Sequence, residues 1–465
     1  MKSSHTPAAV FAAFDDRNLL AHGGLAPVVR LAERCGLPAL VRGKVRLAGA
    51  ANGAGTAVDA KVMSLVAGML AGADSIDDMD VLRHGAMPKV FGGVRAPSTL
   101  GTFLRAFTWG HVRQLESATR AFTANLVSHC NLLPGGDEIV YLDIDSKVKQ
   151  VYGAAKQGAE HGYTKVRGLH FQIVTASTPI AAPIVVATRL RKGSAGSAKG
   201  AAPLISEAIA AVRKTGATGV IVVRGDSAFF SAKVVAACRR AKVQFSFAVA
   251  QRKKIRAAIA AIPETAWTPV KYPKAIFDHD EQRWVSDAAV AEIEHVAFTG
   301  KAKKYQVTAR LLVRRVKRLN PATVPAGQGE LFTAWRFHAV FTNSRQHPVE
   351  AEADHRRHAI VEQIFADLED SALGHLPSGK FTANAAWLTL AALAHNLTRA
   401  AGTLASAFHA KARTGTIRHQ LLAVPARLAT KARTLTWHFP QRWPWAEAFM
   451  KLWTAVGHRP VTRPV

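Results

Sequence analysis

Hydrophobic positions along the chain follow three rhythms. Up to about residue 135, apolar residues recur at three- and four-residue steps with short breaks, as over 25–31 and 61–70, which predicts short helices. Ser75 before Asp77 and Asp78 gives one of them a cap and first-turn acids. Ser98 is expected to cap another, with Leu100, Phe103, Leu104 and Phe107 on one side and Thr99, Thr102 and Arg105 on the others. Two short helices around a Gly/Pro turn suit a helix-turn-helix DNA reader and a plain helical bundle equally.

From about 136 to 250 the period drops to two. Segments 138–145 (EIVYLDID), 169–177 and 183–191 read as three strands able to pair as a meander. Helix 204–214 leads into the apolar, β-branched run 219–227 (GVIVVRGDS), and helix 232–241 leads into strand 244–250. Between 251 and 340, segments 304–318 and 330–342 alternate as strands around the Pro/Gly-rich stretch 320–329, predicting a β-rich insertion. Residues 355–373 read as one amphipathic helix, with Ile360, Val361, Ile364, Phe365 and Leu368 as its buried stripe. Segment 383–400 reads as an Ala/Leu packing helix, and the basic remainder, with Trp437, Trp443, Trp445 and Trp453, as a helical tail.

Three strands followed by helix, strand, helix, strand is the order of an RNase H-like core, in which the first and fourth strands lie side by side. The fold class expected is therefore α/β: an N-terminal helical DNA-binding domain (1–135), an RNase H-like core in two parts (136–250 and 341–400) split by the β-rich insertion (251–340), and a C-terminal basic helical region (401–465).

Composition narrows the partners. The 465 residues, 49% hydrophobic and 20% charged, suit a folded protein with a sizeable core. With 61 Lys and Arg against 32 Asp and Glu, the formal charge of +29 calls for a polyanion, and nucleic acid fits better than an anionic membrane because no basic amphipathic helix stands out. No apolar run reaches the roughly 18 to 20 residues of a membrane span, and no signal-peptide core precedes Asp15 and Asp16, so a cytoplasmic protein is expected. Cys35, Cys130 and Cys238 are too scattered for a disulfide framework or a zinc site. Segment 193–200 is glycine-rich but is read as lacking the strand-loop-helix setting of a nucleotide cradle, so no nucleotide cofactor is expected.

Carboxylates carry the candidate chemistry. Asp143 and Asp145 fall on one face of their strand, where two like charges are tolerated if wetted or neutralised by a cation. Asp226 ends an apolar strand, the end at which ligands gather in open α/β sheets. Glu362 lies on the border of its helix beside His355, His358 and Glu369. Lys147, Lys149, Lys156, Lys165 and Arg167 follow the first acids and are read either as DNA-backbone contacts or as solubilising charges. Arg310, Arg314, Arg315, Lys317 and Arg318 are read as a basic ribbon for phosphates or as a solvated strand face. His161 and His170 are too poorly spaced for a metal pair.

The runs YLDIDSKVKQVYG, HGYTKVRGLHFQIVT, VVRGDSAFF and 355–400 together resemble the DDE transposases of bacterial insertion sequences, most closely the IS thirteen-eighty group within the wider set that includes transposon Tn-five. The resemblance extends over most of the chain, including GLAPVVRLAERCGL, APSTLGTFLR and the tail 418–439. It implies a metal-dependent polynucleotidyl transferase that binds double-stranded DNA at terminal inverted repeats and moves the element by cut and paste, with two Mg²⁺ ions, for which Mn²⁺ is expected to substitute, and a homodimer in the synaptic complex. By position, the first acid is Asp145, before Ser146, with Asp143 as the fallback ligand; the second is Asp226 and the third Glu362. Relatives carry Tyr, Arg and Lys where this chain has His355, His358 and Glu369, and use them to hold the DNA end and its flipped base. A protonated His358 can still meet a phosphate, whereas Glu369 reverses the charge. Two alternatives stand beside cut and paste: a nuclease of the same fold that does not join strands, and a catalytically impaired DNA-binding derivative.

Overall fold

A ten-stranded sheet carries the fold in the computed structural model, which describes residues 10–47, 53–270, 277–278, 283–284, 288–317, 335–432 and 434–458. Its first core strand, β1 (Ile139–Gln150), runs antiparallel to β2 (Arg167–Ser177), and β2 antiparallel to β3 (Ile184–Lys192), forming the expected meander. On its other edge β1 pairs in parallel with β4 (Val220–Gly225), and β4 in parallel with β5 (Gln244–Val249). Parallel neighbours need crossovers, and the helices Ala201–Arg213 and Ala232–Arg240 supply them. The first and fourth core strands are thus adjacent, as the element order predicts.

The β-rich segment does not form a sheet of its own. Strand β5 pairs with β8 (Trp335–Thr342), β8 with β7 (Val307–Lys317), and β7 with β6 (Ala288–Ala297), all antiparallel, so the insertion prolongs the core sheet. An uncovered β5 would leave a row of unpaired amides and carbonyls, and β8 satisfies them. The stretch 320–329 and Arg318 lie outside the described residues.

Helices α1 (Val58–Ala71), α2 (Pro97–Arg105) and α3 (Trp109–Cys130) pack with the long α6 (Phe381–Ala405), which is buried over nearly all its length and follows α4 (Pro348–Arg356) and α5 (Ile360–Glu369) in the chain. Helix α2 starts two residues earlier than expected. Ala96 rather than Ser98 occupies the cap position, because Pro97 has its φ preset for the first helical turn and no amide to satisfy. Leu100, Phe103, Leu104 and Phe107 are buried as the periodicity requires. Among the described residues the main hydrophobic core runs from Leu20 to Val456, with a small second cluster at Leu312, Val340 and Ala351.

The tail is only partly helical. Ala426–Lys431 and Thr434–His438 form a hairpin whose first strand pairs with Leu19–Leu20 from the other end of the chain. Trp437 and Trp453 meet at 5.5 Å, and Phe439 packs 5.6 Å from Trp453, so these rings form a local core.

One side chain fastens the helical layer to the sheet. Asn396 of α6, fully buried, accepts from the Val185 amide at 2.8 Å and donates to the Val185 carbonyl at 2.7 Å, where the β2–β3 register slips. Among the described residues strand β3 pairs on one side only, and the amide side chain supplies the Val185 peptide with a donor and an acceptor beside the bulge. Asn396→Ala strands a buried donor and a buried acceptor, and should destabilise the protein by about 2–5 kcal/mol, read as a lowered melting temperature.

Candidate active site

Parallel pairing of β1 with β4 brings two acids to one level. Ile144 lies opposite Gly225, so Asp145 and Asp226, one residue further along each strand, leave neighbouring strands together. Strand β4 ends there, and Asp226 turns out into solvent with its Oδ1 accepting from the Ala228 amide at 3.0 Å. Asp145 is half-buried and accepts from the Ser146 amide at 2.6 Å. Burial raises the Asp145 carboxyl to about 6, and the charges of Asp226, Glu362 and Asp143 push the same way. Asp226 is also held above its ordinary value, mainly by desolvation, against which its backbone hydrogen bond and the nearby His358 work.

Glu362 arrives on a broken helix. The expected single helix over 355–373 is two: α4 (Pro348–Arg356) and α5 (Ile360–Glu369), separated by a tight turn at Arg357–Ala359. The ring of His358 bonds the His355 carbonyl at 2.7 Å and so competes with the amide four residues on that would continue the helix. The break puts Glu362 in the first turn of α5, exposed, where the positive end of the helix dipole favours a carboxylate.

Asp143 does not join this group. Its strand face is the predicted one, but it is fully buried and spent on Arg224, directly opposite on β4, through Nε at 2.6 Å and Nη2 at 2.7 Å. The guanidinium lies 4.0 Å from the centre of the Tyr141 ring and donates to the Asp354 carbonyl, while the Tyr141 hydroxyl donates to the Asp354 carboxylate at 2.7 Å. One network therefore ties β1, β4 and α4 together, two residues from Asp145, two from Asp226 and eight from Glu362. Sequence reasoning missed it, although an arginine inside an otherwise apolar β-branched strand was the signal: a charge buried there must be paired.

The expected DNA-contacting side chains separate into free and occupied ones. Lys147 and Lys149, on the same face as Asp145, both reach Glu369, Lys149 at 3.7 Å, so the charge reversal expected from Glu369 is neutralised from the neighbouring strand. Lys165 stands exposed at a turn with φ of 57°, and Arg167 donates to the carbonyls of Gly153 and Ala154, both at 2.9 Å. Arg105 is exposed at the end of α2. His355 is not available to DNA: it is buried, within 3.0 Å of the Ser246 hydroxyl, and burial pushes its imidazole down to about 3, which leaves it neutral. His358 is half-buried and faces the acids.

The described arginines of the basic ribbon are engaged within the protein. Arg310 pairs with Glu292 and donates to the Ser344 and Gln346 carbonyls. Arg314 pairs with the buried Glu352 of α4 at 2.6 Å, and Glu352 also takes Arg356 at 2.9 Å. Arg315 stacks between Trp267 and Trp335, 4.4 Å from each ring centre, and pairs with Glu264. The insertion thus grips the helix that leads to Glu362.

Among the described residues no three His, Cys, Asp or Glu side chains stand as a closed metal cluster. The donor set still suits a hard cation: carboxylate oxygens of the half-buried Asp145 and the exposed Asp226, whose charges repel. No helix among the described residues is long and apolar enough to cross a membrane. No curated protein matches the chain. A family model described as transposase DDE domain group 1 matches residues 2–460. Proteins of this kind act on DNA and generally use divalent metal ions. With Asp145 and Asp226 leaving neighbouring strands of a mixed α/β sheet together and a family match over almost its whole length, the chain belongs to the DDE-domain transposase family.

Proposed function

We propose that this transposase performs metal-dependent hydrolysis and strand transfer at the inverted-repeat ends of an insertion sequence, through Asp145, Asp226 and Glu362, on an RNase H-like core. The observation that carries this reading is the register of β1 with β4, which brings Asp145 and Asp226 out of neighbouring strands together; the Asp145 carboxyl, raised chiefly by burial, is pushed further the same way by the charges of Asp226 and Glu362. The strand order, with β1 between β2 and β4, supports the RNase H-like assignment. The motif runs support placement in the IS thirteen-eighty group.

Asp145, Asp226 and Glu362 would hold the ions; the pairing of the buried Asp143 with Arg224 speaks against Asp143 as a fourth ligand. Two Mg²⁺ ions, when bound, stabilise the attacking and leaving oxygens of a phosphodiester, and Mn²⁺ suits the same oxygen donors. The protein's own part is positional. The Arg224 network fixes the strands beneath two acids and the helix before the third. Lys147 and Lys149, on the strand that carries Asp145, hold positive charge against Glu369, and Lys165 and Arg105 offer exposed cations to the DNA backbone. Synapsis of two ends calls for a second copy of the chain.

Asp145→Asn, Asp226→Asn and Glu362→Gln should each lower Mg²⁺-dependent cleavage of an inverted-repeat duplex by on the order of 10³ or more, while affinity for that duplex stays within a few-fold. Undiminished cutting by the Glu362→Gln protein would end the assignment. Adding a pre-cut end separates joining from hydrolysis: transfer to a target strand is expected, and its absence with intact cutting identifies a nuclease instead.

The metal-free protein should also carry a pH signature. The folded-state pKa of Asp145 lies above the ordinary value of 3.8, so its cost is absent below about pH 4 and complete above about pH 6. Asp145→Asn should therefore stabilise the metal-free protein at pH 7.5 by on the order of 1–3 kcal/mol and have no effect at pH 4. Saturating Mg²⁺ or Mn²⁺ should raise the parent's melting temperature at pH 7.5 more than at pH 5, and melting curves across that range check both statements.

A further inference from the structure

The Gly193–Gly200 stretch is a strand-loop-helix connection after all, joining β3 to the helix Ala201–Arg213. Beneath it lies Arg191, 8% exposed, a buried cation with which no Asp or Glu among the described residues pairs. Its Nη1 donates to the carbonyls of Gly196 at 2.8 Å, Ser197 at 3.2 Å and Lys199 at 2.7 Å, and its Nε has no partner. Gln172, fully buried, donates to the Ser197 carbonyl at 2.6 Å. His170, neutral because burial pushes it down to about 4, donates through Nδ1 to the Ala195 carbonyl and leaves Nε2 to accept from Arg191 at 3.1 Å.

Four successive or near-successive carbonyls, of Ala195, Gly196, Ser197 and Lys199, therefore point inward. A trans peptide holds its N–H opposite its C=O, so the amides that follow them, of Gly196, Ser197, Ala198 and Gly200, point outward. None of these four amides donates to a protein acceptor among the described residues, and Gly196, Ala198 and Gly200 are exposed. An unneutralised buried cation costs stability, and here it polarises a row of peptides whose positive ends face the surface. The loop also has a fixed place. The Ser197 hydroxyl lies 3.1 Å from that of Ser146, the residue after Asp145, and a Cβ on Gly193 would come within 2.2 Å of the Glu160 and Gly168 carbonyl oxygens.

We propose that the Gly193–Gly200 loop, charged from behind by Arg191, is a phosphate-binding element that seats a backbone phosphate of the DNA strand beside the acid cluster. This rests on the DNA-transfer reading above for the identity of the strand, but not for the presence of the site. The ligand chemistry is a phosphate oxyanion, the source a phosphodiester.

The test is metal-free binding of a duplex by the full-length protein as a function of salt. Arg191→Gln should lower affinity about tenfold and reduce the slope of log affinity against log salt by about one, while Arg191→Lys keeps the slope. Ala198→Glu, on the exposed loop, should lose a similar factor at an unchanged melting temperature, and it carries the test alone if Arg191→Gln does not fold. Parental slope and affinity in a folded Arg191→Gln protein and in Ala198→Glu would overturn the proposal. So would inorganic phosphate raising the melting temperature of the parent but not of Ala198→Glu while their DNA affinities agree, which identifies free phosphate as the ligand. Cleavage by the parent is scored separately: if it persists while the slope is indifferent to the loop, only the loop assignment falls; if it is absent while the slope responds, only the transfer reading falls.

Discussion

Burying a charge is tolerated only when it is paired, and the ion pair between Asp143 and Arg224 is the constraint on which the acid-bearing end of this sheet depends. The two side chains face each other across parallel strands and cannot be satisfied unless β1 and β4 are in register. The remaining donors of Arg224 and the hydroxyl of Tyr141 then reach Asp354, so the same pair also fixes the helix that precedes Glu362. Hydrophobic packing alone would hold these elements close. A bidentate salt bridge adds what packing lacks, a unique register between two strands and a unique height for a helix.

The distribution of basic residues follows the same economy. A formal charge of +29 suggests a surface dense in free cations, yet many arginines are internal fasteners. Arg113, Arg120 and Arg189 converge on Glu116 and Glu207, joining α3 to β3 and the helix beyond it. Arg310, Arg314 and Arg315 lock the insertion to its surroundings. Lysines occupy more of the ground near the acids, where a mobile, strongly hydrated ammonium suits a backbone phosphate.

Much of this was legible in the sequence because periodicity reports burial. The alternation in EIVYLDID, the apolar run before Asp226 and the stripe through Ile364 and Phe365 gave the strands, the helix and their order. Three things were not legible. Period-2 patterning cannot say which edge a strand joins, so β8 was expected in a separate insertion rather than on β5. Side-chain pairing across the sheet decides whether an acid is wet or spent, so Asp143 and Asp145 looked equivalent until Arg224 was placed. The break in the Glu362 helix comes from one imidazole bonding a carbonyl three residues back, with no glycine or proline to announce it.

The pairing of Leu19–Leu20 with the hairpin that begins at Ala426 joins the two extremes of the chain. During synthesis the first strand emerges from the ribosome long before its partner exists, and Asp145 and Asp226 are made well before the helix that brings Glu362. A nascent chain that has not reached Ala426 therefore lacks the partner of its first strand, and the clasp closes only after the central sheet and α6 have been made.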